Sequence, residues 1–211
     1  RVYMVAGNQI FTMDANDQVT ALKDASGLAP FASQQVAEAY GCIYDVGTSS
    51  LILASFSPPF VGTAFTRLPI AANGTQLAGR PQSATFDLVP GQVETVAGMS
   101  MGPNGLILVS CDVNANGALP LLSTFNPVTM TASTYAVCDY SLDGGLTTST
   151  YSPELGKAVS LDTFNDQLRG WGAGEAGPGT ILAGAVSAVG SSAESAHLLR
   201  IGGTINGTVA I

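Results

Sequence analysis

Two stretches constrain this chain more than any other: Ser49-Ser50-Leu51-Ile52-Leu53-Ala54-Ser55 and Asn104-Gly105-Leu106-Ile107-Leu108-Val109-Ser110. Each is a turn followed by a run of apolar residues. A strand with one solvated face alternates apolar with polar side chains, whereas a strand apolar at every position needs cover on both faces. Ile10-Phe11 has the same character. Helical periodicity is not sustained over roughly 15 residues anywhere, and Ser33–Tyr40 is the one short segment that fits a helix. The chain therefore reads as all-β, with sheets layered between other sheets.

A second element recurs after these strands: Ile10–Asp14, Ala64–Leu68, Leu122–Asn126, Val159–Asn165 and Leu198–Gly202. Each runs into turn residues and a further β-prone stretch, namely Gln18–Leu22, Gly74–Leu77, Val128–Thr134, Gln167–Trp171 and Thr204–Ile211. Asn, Asp, Gly and Pro populate the turns, where they tolerate or preset the required dihedrals. Ser57–Phe60 and Gly79–Ser83 read as surface loops. The repeat is roughly 40–50 residues long, the length of a four-stranded propeller blade. The third unit, Gly98-Met99-Ser100-Met101-Gly102-Pro103-Asn104-Gly105-Leu106-Ile107-Leu108-Val109, resembles the loop–strand pattern of β-propeller blades of the NHL and SMP-30-like style. The resemblance implies a single β-propeller-like domain over 1–211, with five blade-like units. Either Thr204–Ile211 completes the first blade, which lacks an obvious leading strand, or the units belong to a larger ring. A β-sandwich is the alternative fold.

Three motifs raise the question of chemistry. Gly98-Met99-Ser100-Met101-Gly102 matches G-x-S-x-G, and the chain order allows a triad of Ser100, Asp143 or Asp162, and His197. A nucleophile elbow needs a helix after the serine. Here Pro103-Asn104-Gly105 and a strand follow, so a Gly/Ser turn between strands is the better reading. Gly172-Ala173-Gly174-Glu175-Ala176-Gly177 fits G-x-G-x-x-G, with Glu194 downstream, but no apolar strand precedes it and no helix follows. It reads as a flexible loop between blades. Asp112-Val113-Asn114-Ala115-Asn116-Gly117 places oxygen ligands alternately before a glycine, as a calcium loop does. Asp112, Asn114 and Asn116 are the candidate calcium ligands; Ser123 stands where the closing glutamate belongs, and an Asn/Gly-rich hairpin is the other reading. The lone histidine, His197, lacks metal-ligand company, and the acids Glu38, Asp45, Asp87, Glu94, Asp139 and Glu154 are scattered singly. Trp171 and Tyr151 fit packing better than ligand stacking.

Composition bounds the function. Only 10% of the 211 residues are charged, and seven basic side chains against fifteen acidic ones give a net charge of −8. Nucleic-acid binding needs a basic footprint that this chain lacks. No apolar run approaches the ~20 residues of a membrane-spanning helix. Asn73-Gly74-Thr75 and Asn206-Gly207-Thr208 are N-glycosylation sequons placed in predicted hairpin turns. Cys42, Cys111 and Cys138 form no zinc motif; they read either as one bridge plus a free thiol or as three buried thiols. Sparse surface charge suits a surface covered by partners or glycan, since buried interfaces are depleted in Lys, Glu and Asp. The expectation is a non-catalytic extracellular structural or protein-interaction module, a subunit of a surface filament, coat or wall assembly. The alternative is a carbohydrate-binding or propeller-type enzyme domain using its central channel.

Overall fold

The computed structural model describes residues 1–6, 9–24, 26–28, 39–56, 62–88, 94–113, 121–138, 149–162 and 167–183. Within these residues the chain is all-β and forms four separate sheets, none of them closed on itself. Sheet 1 holds β1 (Val2–Ala6), β2 (Gln9–Met13) and β3 (Val19–Ala21). Sheet 2 is β4 (Ala39–Asp45), β5 (Ser50–Phe56), β6 (Thr63–Pro69) and β7 (Gln82–Phe86). Sheet 3 is β8 (Glu94–Met101), β9 (Ile107–Val113), β10 (Leu121–Asn126) and β11 (Thr131–Cys138). Sheet 4 begins with β12 (Thr150–Ser152), β13 (Lys157–Asp162) and β14 (Gln167–Trp171). The two-residue β15 (Ala176–Gly177) then joins β11 in parallel before β16 (Thr180–Ala183) completes sheet 4 beside β14. Apart from β15, each sheet is an antiparallel meander in chain order.

The sheets stack face to face in sequence, through three apolar layers. Ile10 and Leu22 from sheet 1 meet Leu51, Leu53 and Leu68 of sheet 2. Ile52, Ala54 and Phe65 on the opposite face of sheet 2 meet Ile107, Val109, Cys111 and Phe125 of sheet 3. Leu108, Leu122, Tyr135 and Cys138 of sheet 3 then meet Ala158 and Trp171 of sheet 4. The apolar runs Leu51–Ala54 and Ile107–Val109 are thus buried at every position because adjacent side chains enter different layers. Phe65 and Phe125 stack across the middle layer, with centroids 4.3 Å apart and planes 11° apart. The first strands of the sheets also adjoin one another, β1 beside β4, β4 beside β8 and β8 beside β12. At the β4–β8 approach a Cβ on Gly41 would lie 2.6 Å from the Met99 sulfur, so only hydrogen fits there without moving Met99.

Several expectations are corrected. Val159 lies on β13, the second strand of its sheet, and so matches Ile52 and Leu108 rather than the third strands β6 and β10. The turns explain the offset: Ser49, Gly105 and Gly156, each with positive φ, directly precede Ser50-Leu51, Leu106-Ile107 and Lys157-Ala158. The third strand of sheet 4 is β14, read above as the stretch that follows it. Gln82 and Ser83, assigned to a loop, belong to β7, and the β-prone stretch Gly74–Leu77 lies in the connection before it, where Gln76 and Leu77 form isolated bridges. Ala39 and Tyr40 open β4, while the rest of the proposed helix, residues 33–38, lies outside the described residues. Ser57–Phe60, Leu198–Gly202 and Thr204–Ile211 lie outside them too.

Candidate functional site

The connections between third and fourth strands reach back to the preceding sheet at two junctions, in matching register. After β6, Thr75 O accepts the Lys23 N–H (3.1 Å) and the Leu77 N–H donates to Lys23 O (2.8 Å), just beyond β3. After β14, Glu175 O accepts the Val137 N–H (3.0 Å) on β11, and the Gly174 N–H donates to Tyr135 O (2.7 Å). The glycine before each pairing residue, Gly74 or Gly174, has φ of +70° or +77°, a region open to glycine at little cost. Gly172–Gly177 is therefore an ordered clamp rather than a flexible loop. Trp171, fully buried, donates Nε1–H to Gly177 O at 2.9 Å. Lys157 and Glu175 form an ion pair at 2.7 Å, which with the Gly172 N–H lowers the Glu175 pKa.

The first clamp borders a cleft of about 500 Å³ between sheets 1 and 2, lined by Arg1, Tyr3, Tyr44, Ser49, Ile70–Ala72 and Gly74. The adjacency of β1 and β4 brings Tyr3 onto Tyr44, rings stacked with centroids 5.4 Å apart and planes 14° apart. Tyr3 Oη donates to Gly74 O over a long 3.4 Å. Burial raises the Tyr3 pKa, the neighbouring Tyr44 raises it further and Arg1 opposes both, so the phenol stays a donor at neutral pH. Arg1 lies across Gly74: a Cβ there would sit 2.6 Å from Arg1 Cδ and Nε. Ile70, Ala71 and Ala72 give the cleft an apolar wall, and Tyr44 is 37% exposed toward solvent.

The sequence candidates fall elsewhere. Ser100 is on β8, inside a strand and not in a turn, and a 3-10 turn (Pro103–Gly105) leads from that strand into β9. Its buried hydroxyl has no hydrogen-bond partner among the described residues. Asp162 ends β13, while Asp143, His197 and Glu194 lie outside the described residues. Asp112 stands on β9 opposite Thr95, and Asn114 and Asn116 lie outside the described residues. Among the described residues no cluster of three or more His, Cys, Asp or Glu side chains could hold a metal. Asn73 is exposed in the first clamp, in the turn that the antiparallel Ile70–Leu77 bridge closes; its Oδ1 accepts the Thr75 N–H at 3.0 Å. Asn206 lies outside the described residues. No disulfide joins Cys42, Cys111 or Cys138; Cys111 and Cys138 are buried and Cys42 is exposed, which matches neither cysteine reading.

Asp45, one of the scattered acids, shapes a turn, as do Asp14, Asp24 and Asn126. Asp14 accepts the N–H groups of Asn16 and Gln18, and Asp24 those of Ser26 and Leu28. Asp45, buried, takes those of Gly47 and Thr48, and Asn126 those of Val128 and Thr129. The clamps and the tyrosine pair escaped the sequence reading. The positive-φ glycines of the two loops are a usable signal for the clamps. Tyr3 and Tyr44 carry no local signal, because they meet only through the adjacency of first strands.

No family model matches this sequence, and no curated protein is similar to it. Among the described residues no helix is long and apolar enough to cross a membrane.

Proposed function

We propose that the chain is a β-propeller, or a portion of a larger one, serving as a non-catalytic extracellular structural or protein-interaction module in a surface filament, coat or wall assembly. The observation that carries this reading is the serial stack of meander sheets whose first strands adjoin, with both faces of sheets 2 and 3 covered. A propeller places its blades in that relation. Sheet 1 continues the pattern outward. Val2, Met4 and Val19 are exposed on the face that also carries Phe11 and Met13, an apolar surface suited to another sheet or a protein partner. The low charge of the chain fits a surface meant to be covered. The two sequons, at Asn73 and Asn206, fit an extracellular setting, with glycan as part of that cover.

Electron microscopy of the native particle tests the proposal. Ring-shaped units repeating within a polymer are the expected image. A freely soluble, unglycosylated monomer with no partner overturns the scaffold role, and particles built as two facing sheets overturn the propeller. A carbohydrate-binding or enzymatic domain using the central channel is the alternative, and it predicts ligand density on the ring axis.

A further inference from the structure

We infer that the cleft between sheets 1 and 2 binds carboxylated sugar units of an acidic polysaccharide. This goes beyond the scaffold reading and does not depend on ring closure. Four features of the cleft carry it. Its volume, about 500 Å³, lies within the roughly 300–1,000 Å³ of small-ligand sites. Its walls are of two kinds: Ile70, Ala71, Ala72 and the Tyr44 ring suit the apolar C–H face of a pyranose, while the Tyr3, Tyr44 and Ser49 hydroxyls suit its hydroxyl groups.

The third feature is Arg1. Arg67 is engaged with Pro127 O and Gln82, Arg169 with Pro178 O and Gln167, and Lys157 with Glu175. Arg1, like Lys23 and Arg80, forms no ion pair within 4.0 Å among the described residues, and of these three it alone lines the cleft. Its charge also acts on Asp14, as a minor contribution to that carboxyl's lowered pKa, in a chain whose net charge is −8. A guanidinium presents paired donors that match a carboxylate bidentately. The fourth feature is Gly74, whose missing side chain leaves the space that Arg1 occupies. One basic side chain, lying across Gly74, suits a monoanion. A phosphate dianion calls for a nest of backbone N–H groups or several cations, and Arg1 is the single basic side chain of the cleft lining.

Calorimetric titration of the full chain with tri-galacturonic acid, at low ionic strength, tests the assignment. Saturable binding is expected, at least tenfold weaker for the fully methyl-esterified trimer and for the Arg1→Gln and Tyr44→Ala variants. Gly74→Ala, which preserves the Asn73 sequon but displaces Arg1, should weaken binding as well. Arg80→Gln, an exposed arginine outside the cleft, should leave it unchanged. Four results overturn the inference: no saturable heat with the trimer, equal binding of acid and ester, equal losses in Arg1→Gln and Arg80→Gln, or equally tight binding of an acetylated Glu-Tyr-Glu amide. Each leaves the electron-microscopy test of the scaffold untouched, so the two readings fail separately.

Discussion

Replacing Trp171 with alanine should open one layer of the stack and spare the others. The indole is fully buried among Leu108, Leu122, Tyr135, Ala136, Cys138 and Ala158, and it holds the second clamp through its bond to Gly177 O. Truncating a buried tryptophan costs about 3–5 kcal/mol, and the Gly177 carbonyl loses its indole partner as well. Cys138 sits in the same layer, its thiol pushed up to about 12 by burial. Native Cys138 therefore reacts with an alkylating reagent only through opening of that layer. At roughly 1.4 kcal/mol per tenfold change, iodoacetamide labelling of Cys138 should accelerate by about two to three and a half powers of ten in Trp171→Ala. Cys111, buried in the layer between sheets 2 and 3, is the internal reference. Peptide mass spectrometry reads the two sites independently. Equal acceleration at Cys111 and Cys138 would mean that the chain opens only as a whole, and no acceleration would mean that Trp171 does not hold the layer. Either result refutes the argument.

Three further outcomes follow from the packing and the turns. Gly62→Ala should lower stability by about 1–3 kcal/mol in urea denaturation, the range for overpacking, because its Cβ would lie 2.7 Å from Phe86 O, a carbonyl fixed in the β6–β7 ladder. Ser100→Ala should change stability by less than about 0.5 kcal/mol or raise it, since the buried hydroxyl it removes has no partner, and a fluorophosphonate should not label the wild-type serine. Stability should be level from neutral pH down to about 5 and fall below about 4. Backbone N–H bonds hold Asp14 and Asp24 below their usual pKa, and Lys157 holds Glu175 below its own. A carboxyl depressed in the folded state stabilises it above the unfolded-state pKa, and that contribution is lost as pH falls through the depressed value. Asp24→Ala should flatten the acid limb of a thermal-melting series, and an unchanged limb counts against this account.

The all-β class and the double burial of β5 and β9 were legible in the sequence because a four-residue apolar run has few other uses. Leu51–Ala54 and Leu106–Val109 state locally that two faces need cover. The fourth unit was misaligned because Phe164-Asn165 resembles Phe125-Asn126, and this likeness outweighed the turn before Lys157. Gly156, with its positive φ, marks the true register, placing Ala158 beside Ile107 and Leu51 as the residue facing the preceding sheet. Turn backbone is a better guide to register here than side-chain likeness, since the hairpin fixes which residue faces which layer.

The glycine-rich segment and the lone acids, neither of which read as a site in the sequence, have a shared physical explanation. Gly172–Gly177 matched a phosphate-binding pattern, but glycine serves both phosphate loops and any backbone that must turn through positive φ to pair with a neighbouring strand. Gly74 and Gly174 do the latter, at equivalent points of two junctions. Asp14, Asp24 and Asp45 formed no visible constellation because each is engaged with backbone N–H groups two to four residues ahead. In a chain with 10% charged residues, side chains spent on turns and clamps leave few for a site. Arg1 stands out against that background: it lines a cleft beside two stacked tyrosines, on a glycine whose missing side chain leaves room for it.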